Sequence, residues 1–354
     1  MTNLLDNAIK YTQSEGRIDK NLFISIKEAS RMKSKSRLSV KTLIRCSTQG
    51  VLAILVLLSF HLVSKPALAD NLCTKTSLNM LESCKFGAED DYWLAIAKCN
   101  NLPTHAERHT CKRQAWKDMN SGKDECRDQY KVRQEICKML GKDVYNPIIN
   151  PADFVATIDN TYFPLTPGTT YIYDGITEKG NEHVEVYVTH NTKVILGVTC
   201  VEVSDIVTVD GVLVEDTLDW YAQDIQGNVW YFGENSKEYE GGLIVSLGGS
   251  WIAGVDGAKP GIIMETSLPT VGDLYRQEFA LGVAEDMAQV LNLTESVTVP
   301  YQPTPFTNCL KTKEFSPLEP DAVENKFYAQ GIGNIQTVDA VTGNHSDLIS
   351  IITE

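Results

Sequence analysis

Six cysteines, Cys73, Cys84, Cys99, Cys111, Cys126 and Cys137, are spaced so that the series reads the same in both directions. Cys73 with Cys137, Cys84 with Cys126, and Cys99 with Cys111 are each placed symmetrically about His105. A helix that folds back on a second helix at that centre brings the members of each pair face to face. The spacing therefore predicts three stacked disulfides. A zinc site would need four thiolates converging on one point, usually from close-spaced pairs, and these are spread over several helical turns.

The residues between the cysteines agree with two helical arms. In the first, Cys73, Ser77, Met80, Leu81, Cys84, Ala88, Tyr92, Ala95 and Cys99 recur mostly at steps of three and four, and Cys111 to Leu140 repeats the pattern. Asn100-Asn101-Leu102-Pro103 ends the first arm, and Thr104 with Glu107 supplies a capping box for the second. Gly87 and Gly122 fall at nearly matched levels and predict bends or breaks. Each disulfide of this kind stabilises by about 2–4 kcal/mol, enough to hold a thin two-helix element in an oxidising compartment. On such a spacer or docking arm, exposed Trp93 or Trp116 could serve a partner. His105 and His109 could bind a metal weakly, although histidines so placed are more often solvated.

The N-terminus predicts export. Basic residues from Lys33 to Arg45 precede the apolar run Val51 to Val63 and the cleavage-like Ala67-Leu68-Ala69. That run is shorter than the ~20 residues a membrane helix needs, so no span is expected after cleavage. Residues 32–69 read as a signal peptide, residues 70–141 as the stapled hairpin, residues 142–160 as a linker and residues 161–354 as a second domain. The protein is expected to be periplasmic or extracellular. Residues 3–12, Asn3-Leu4-Leu5-Asp6-Asn7-Ala8-Ile9-Lys10-Tyr11-Thr12, resemble the N-box of histidine-kinase ATP-binding domains, in which the residue matching Asn7 helps hold magnesium. The glycine-rich lid of that family is absent, and an isolated N-box makes no nucleotide pocket. Residues 1–31 therefore read as a spurious extension without function, ahead of an initiator at Met32.

Charge separates the two later domains. Residues 70–141 carry 12 Lys and Arg against 11 Asp and Glu, whereas residues 142–354 carry 9 against 31. So acidic a domain repels nucleic acid and anionic membrane and favours cations or basic partners, or else keeps the protein soluble in a salty medium.

From Tyr162 onward, alternating β-branched and aromatic runs predict an antiparallel sandwich, barrel or strongly curved sheet, giving an α+β chain. Strands are expected over 170–174, 183–189, 193–198, 201–209, 212–221, 228–233, 243–246, 296–299, 325–330 and 348–352, with one short helix from Ala284 to Leu291. The runs Asp219-Trp220-Tyr221-Ala222-Gln223-Asp224, Gly227 to Glu234, Gly254-Val255-Asp256-Gly257, Tyr275-Arg276-Gln277-Glu278, Asn308 to Thr312 and Ala329 to Gly333 resemble stretches of uncharacterised exported bacterial β-rich proteins. The resemblance covers roughly residues 160–335 and implies an address and a fold unit, but no activity. With Cys46 removed in the signal, Cys200 and Cys309 are left over and are expected to pair, two buried thiols being the alternative.

Asp210-Gly211 is a strong hairpin signal. The register it implies puts Asp205 opposite Asp216 on a face shared with Val203/Leu218 and Val201/Trp220. Like charges so placed are destabilising, and they need a bound cation, a shared proton or a basic partner unless the register slips. The next hairpin turns through Asp224 to Gly227, pairs Trp220 with Tyr231 and Tyr221 with Trp230, and sets Trp220 and Tyr231 beside the carboxylates. Asp205, Asp216, Trp220 and Tyr231 are thus the expected binding residues, with Asp205 and Asp216 as ligands for calcium. No catalytic residue is assigned and no other cofactor is expected. No Gly-x-Ser-x-Gly elbow, phosphate loop, dinucleotide fingerprint or His-Glu-x-x-His helix is present. The expectation is a non-enzymatic exported binding protein for a cation, a glycan or a basic partner. The alternative is a glycan hydrolase using Asp205 and Asp216 as acid and base.

Overall fold

The computed structural model describes residues 71–354 apart from 178 and 267; the readings for residues 1–31 and 32–69, Cys46 included, lie outside the described residues. Helix α1 spans Leu72–Asn100 and helix α2 spans His105–Leu140. Cys73–Cys137, Cys84–Cys126 and Cys99–Cys111 are disulfide-bonded, as the symmetric spacing requires. The capping box is present in full: Thr104 Oγ1 accepts from the Glu107 backbone N–H, and the Glu107 carboxylate accepts from that of Thr104.

Both helices run unbroken through their glycines, contrary to the expected breaks. Gly122 instead faces the other helix, where a Cβ would stand 3.4 Å from the Ala88 Cβ, at van der Waals contact. Neither helix, nor any other among the described residues, is long and apolar enough to cross a membrane.

The antiparallel β domain follows. A small sheet joins β1 (Ile158–Asn160) to β2 (Phe163–Leu165). The large sheet is built from β3 (Thr169–Thr177), β4 (Gly180–Ile195), β5 (Val198–Val209), β6 (Val212–Gln223), β7 (Val229–Glu240), β8 (Leu243–Ser246), β9 (Trp251–Ile252), β10 (Lys259–Met264), β11 (Leu274–Arg276), β12 (Glu278–Phe279), β13 (Met287–Val299), β14 (Gln302–Phe315), β15 (Val323–Ala329), β16 (Gly333–Asp339) and β17 (His345–Thr353). Its strands are ordered β11-β13-β14-β15-β16-β17-β3-β4-β5-β6-β7-β10-β12, with β8 and β9 also pairing with β7. Most neighbours are consecutive in the chain, and the main exception brings the C-terminal β17 against β3.

The two ends of this order fall on one extended segment. Leu274–Arg276 pairs with β13, whereas Glu278–Phe279 pairs with β10, and Gln277 lies between them. The ladder does not continue across that junction, so the sheet curls round without closing into a barrel. Its concave face carries the cavity described below.

Three expectations for this domain are corrected. Ala284 to Leu291 is not a helix: from Met287 the chain is strand β13, paired on both sides, and that pairing overrides the helix preference of Ala, Met and Leu. Cys200 and Cys309 are buried and not disulfide-bonded. They lie on β5 and β14, with five strands between them in the sheet order. The break expected after Thr189 is instead an irregularity within one long β4, where the register shifts between Val188 and Thr192.

The hairpin docks on the β domain through a buried ion pair. Arg133 on α2 donates from Nε and Nη2 to the two carboxylate oxygens of Glu285, at 2.9 and 2.8 Å. Gln129 donates to the Leu318 carbonyl at 3.0 Å nearby. Trp93 and Trp116, further up the hairpin, remain exposed.

Candidate functional site

Register decides which side chains meet inside the sheet. The β5–β6 hairpin turns at Asp210-Gly211, both with positive φ, and begins in the expected register with Val209 opposite Val212. A bulge between the Val207 and Thr208 pairings then shifts every later pair by one residue. Asp205 faces Thr217, and Asp216 faces Ile206.

Because alternate residues point to opposite faces, the shift separates the two expected partners. Asp216 is turned to the outer face, where Lys237 donates to it at 2.7 Å. Asp205 and Asp216 therefore do not meet as a pair on one face of the sheet. Trp220 is also excluded from the inner face. It pairs across from Glu202, to which its indole N–H donates at 3.2 Å, and the Lys193 ammonium lies 3.4 Å from its ring centre.

The same shift brings Glu215, Thr217, Asp219 and Tyr221 onto the face of Asp205. A second bulge, between Trp220 and Tyr221, sets Tyr221 opposite Tyr231 and leaves Asp219 opposite Glu234. Two carboxylates thus do face each other across neighbouring strands, one hairpin later than expected. Tyr231 joins them: its hydroxyl donates to Asp219 Oδ1 at 2.5 Å and lies 3.3 Å from Glu234 Oε2. Its ring stacks on Tyr221 with centres 4.6 Å apart.

Asp205, Glu215, Asp219 and Tyr221 line a cavity of about 540 Å³ on the concave face. Tyr171 and Tyr173 of β3, Val184 and Val186 of β4 and the short hairpin residues Phe163, Pro164 and Leu165 supply its aromatic and aliphatic walls. It continues into a polar waist of about 220 Å³, where Glu278 and Glu314 join Asp205, Glu215, Asp219 and Glu234. Among the described residues Lys326 is the one cation lining either space.

Burial in this chamber controls ionisation. It raises the Asp205 carboxyl to about 8, reinforced by Asp219 and Glu215. Burial likewise raises Asp219 to about 8, against the opposing hydrogen bond from Tyr231, and raises Glu234 to about 7. Glu278 is pushed up in the same direction by burial and by neighbouring carboxylates.

Lys326 and Glu314 behave differently because they are paired at 2.9 Å. Burial disfavours both charges, yet Glu314 and its neighbours outweigh it and raise the lysine pKa. Glu314 ends below its usual value through Lys326 and through hydrogen bonds from Tyr328 and Thr312. Lys326 also lies 3.8 Å from Glu324, so its charge is shared between two carboxylates, and among the described residues Asp205, Glu215, Asp219, Glu234 and Glu278 have no ion pair. Asp205 is the extreme case, since its Oδ1 is sealed from solvent and meets no hydrogen-bond partner.

Of the four expected binding residues, Asp205 and Tyr231 lie in the chamber, and Asp216 and Trp220 do not. Asp219, Tyr221, Glu234, Glu278, Glu314 and Lys326 were missed, because their common location depends on two bulges and on strands distant in the chain. Among the described residues no group of three or more His, Cys, Asp or Glu side chains is arranged to hold a metal ion. Comparison with protein-family models, with curated proteins and with solved structures finds no match for this chain, so the functional argument rests on the geometry above.

Proposed function

We propose that this is an exported, non-enzymatic binding protein whose ligand is a small organic cation held in the concave chamber of the sheet. The observation that carries the reading is Asp205, which lines a tyrosine-rich cavity whose lone lysine is already paired, and whose Oδ1 is buried without a hydrogen-bond partner. An unpaired buried carboxylate is costly, and a bound ammonium or guanidinium would remove that cost. The volume falls within the roughly 300–1,000 Å³ of small-molecule sites. Tyr171, Tyr173, Tyr221 and Phe163 add ring faces of the kind that attract cations. The three disulfides support an oxidising, exported setting. The hydrolase alternative has lost the residue pair on which it rested.

The test compares benzylammonium with its neutral counterpart, benzyl alcohol, in thermal melts at pH 8.5. Benzylammonium should raise the midpoint in a concentration-dependent way, benzyl alcohol should not, and Asp205→Asn should remove the effect. Equal shifts from both probes would keep the chamber as a binding site and overturn its preference for cations. No shift from either would overturn the reading.

A further inference from the structure

Where the helical hairpin meets the β domain, a second cavity of about 240 Å³ has the opposite electrostatic character from the chamber. Arg133, Lys259 and Arg276 line it, although residues 142–354 carry only 9 Lys and Arg against 31 Asp and Glu. In so acidic a domain a cation would be expected to hold a carboxylate. Two of these three do not. Lys259 donates to the neutral Asn146 side chain at 2.6 Å. Arg276 has the Met287 thioether at 3.7 Å and the rings of Tyr145 and Phe279 at 5.5 and 5.1 Å.

The third, Arg133, uses Nε and Nη2 on Glu285, and its Nη1 is buried without an acceptor. Buried guanidinium N–H groups without partners are rare and costly. The acids in the lining, Asp143 and Glu285, leave one positive charge in excess. Ile136, Val144, Phe279 and Leu281 supply apolar wall, with Thr76, Ser77 and Tyr145 the polar side chains beside them.

We infer that this seam is an anion site, distinct from the chamber, that takes a small aliphatic carboxylate. The carboxylate group would meet Arg133 Nη1 and the Arg276 guanidinium, while the alkyl chain lies against the apolar walls. Planar guanidinium groups match carboxylate oxygens in geometry as well as charge. Because residues from both helices and from the β domain line the cavity, ligand bound there would stabilise their contact by mass action.

Thermal melts of the oxidised full chain at pH 7 test this with hexanoate and 1-hexanol. Hexanoate should raise the midpoint progressively with concentration and 1-hexanol should not. Arg276→Gln and Lys259→Gln should each weaken the shift at least threefold, Arg276→Lys should retain part of it, and Asp216→Asn, on the outer face, should leave it unchanged. No shift with hexanoate, equal shifts with 1-hexanol, or full shifts in both glutamine variants would overturn the inference. Lys259→Gln removes no buried group, so the test survives a failure of the Arg276 variants to fold.

Discussion

The Tyr231 hydroxyl donates to Asp219 Oδ1 at 2.5 Å while Glu234 stands directly opposite Asp219 on the next strand. One phenol thus bridges two carboxylates that cannot both ionise cheaply in a buried setting. Asp205 and Asp219 have pKa values of about 8 in the folded chain, against the ordinary 3.8 of an unfolded aspartate. A carboxyl raised by folding contributes stability that is complete below its unfolded pKa and is lost as pH rises through the folded value. Each such group removes about 1.4 kcal/mol per pH unit across that window. Glu314, held low by Lys326, has the opposite sign and acts only at acid pH. Without ligand, the melting midpoint should therefore fall between pH 5 and pH 8.5, and Asp205→Asn with Asp219→Asn should flatten the profile. An unchanged slope in the double variant would exclude these two groups as its origin.

Arg133 and Glu285 bind the hairpin to the sheet from positions that are almost fully buried. Removing one partner of such a pair strands the other, at a cost of about 3–5 kcal/mol. Arg133→Met or Glu285→Gln should each lower stability by that order. Arg133→Met combined with Glu285→Leu should recover much of the loss, because it leaves no buried charge. Chemical denaturation of the four proteins measures the coupling.

Gly261 lies where the two ends of the sheet meet. A Cβ there would come within 2.2 Å of the Gln277 carbonyl oxygen and 2.6 Å of that of Arg276, both of which are backbone atoms. Gly261→Ala should destabilise by about 1–3 kcal/mol through overpacking. Gly211→Ala, which meets open space but has positive φ, should cost through backbone conformation alone. Comparing the two variants by denaturant titration separates close approach from turn geometry.

The helical hairpin was legible because its signals are local and mutually consistent. Cysteine symmetry, the Asn100–Pro103 break and the Thr104/Glu107 box all point to one fold-back. Strand existence was also legible where β-branched residues alternate, and Leu243–Ser246 was found at its observed limits. Long-range register was not. The turn at Asp210-Gly211 fixes the first pairs of its hairpin, but nothing in Val203 to Leu218 announces the extra residue that moves Asp216 to the outer face. A bulge is a local cost accepted for a better fit of the whole sheet, so its position depends on strands that the hairpin itself does not contain. For the same reason Glu278 and Lys326, far apart in the chain, gave no sign of sharing a chamber with Asp205.

The most direct test of the cation reading is a calorimetric titration with benzylammonium across pH 6 to pH 9. A chamber whose carboxyls titrate near 7 to 8 must release protons to receive a cation, so affinity should rise over this range and proton release should accompany binding. Asp205→Asn with Asp219→Asn should lower affinity at least tenfold at pH 9 and remove most of the pH dependence. Affinity that is independent of pH, or unchanged in the double variant, would contradict the assignment of the ligand to these carboxylates.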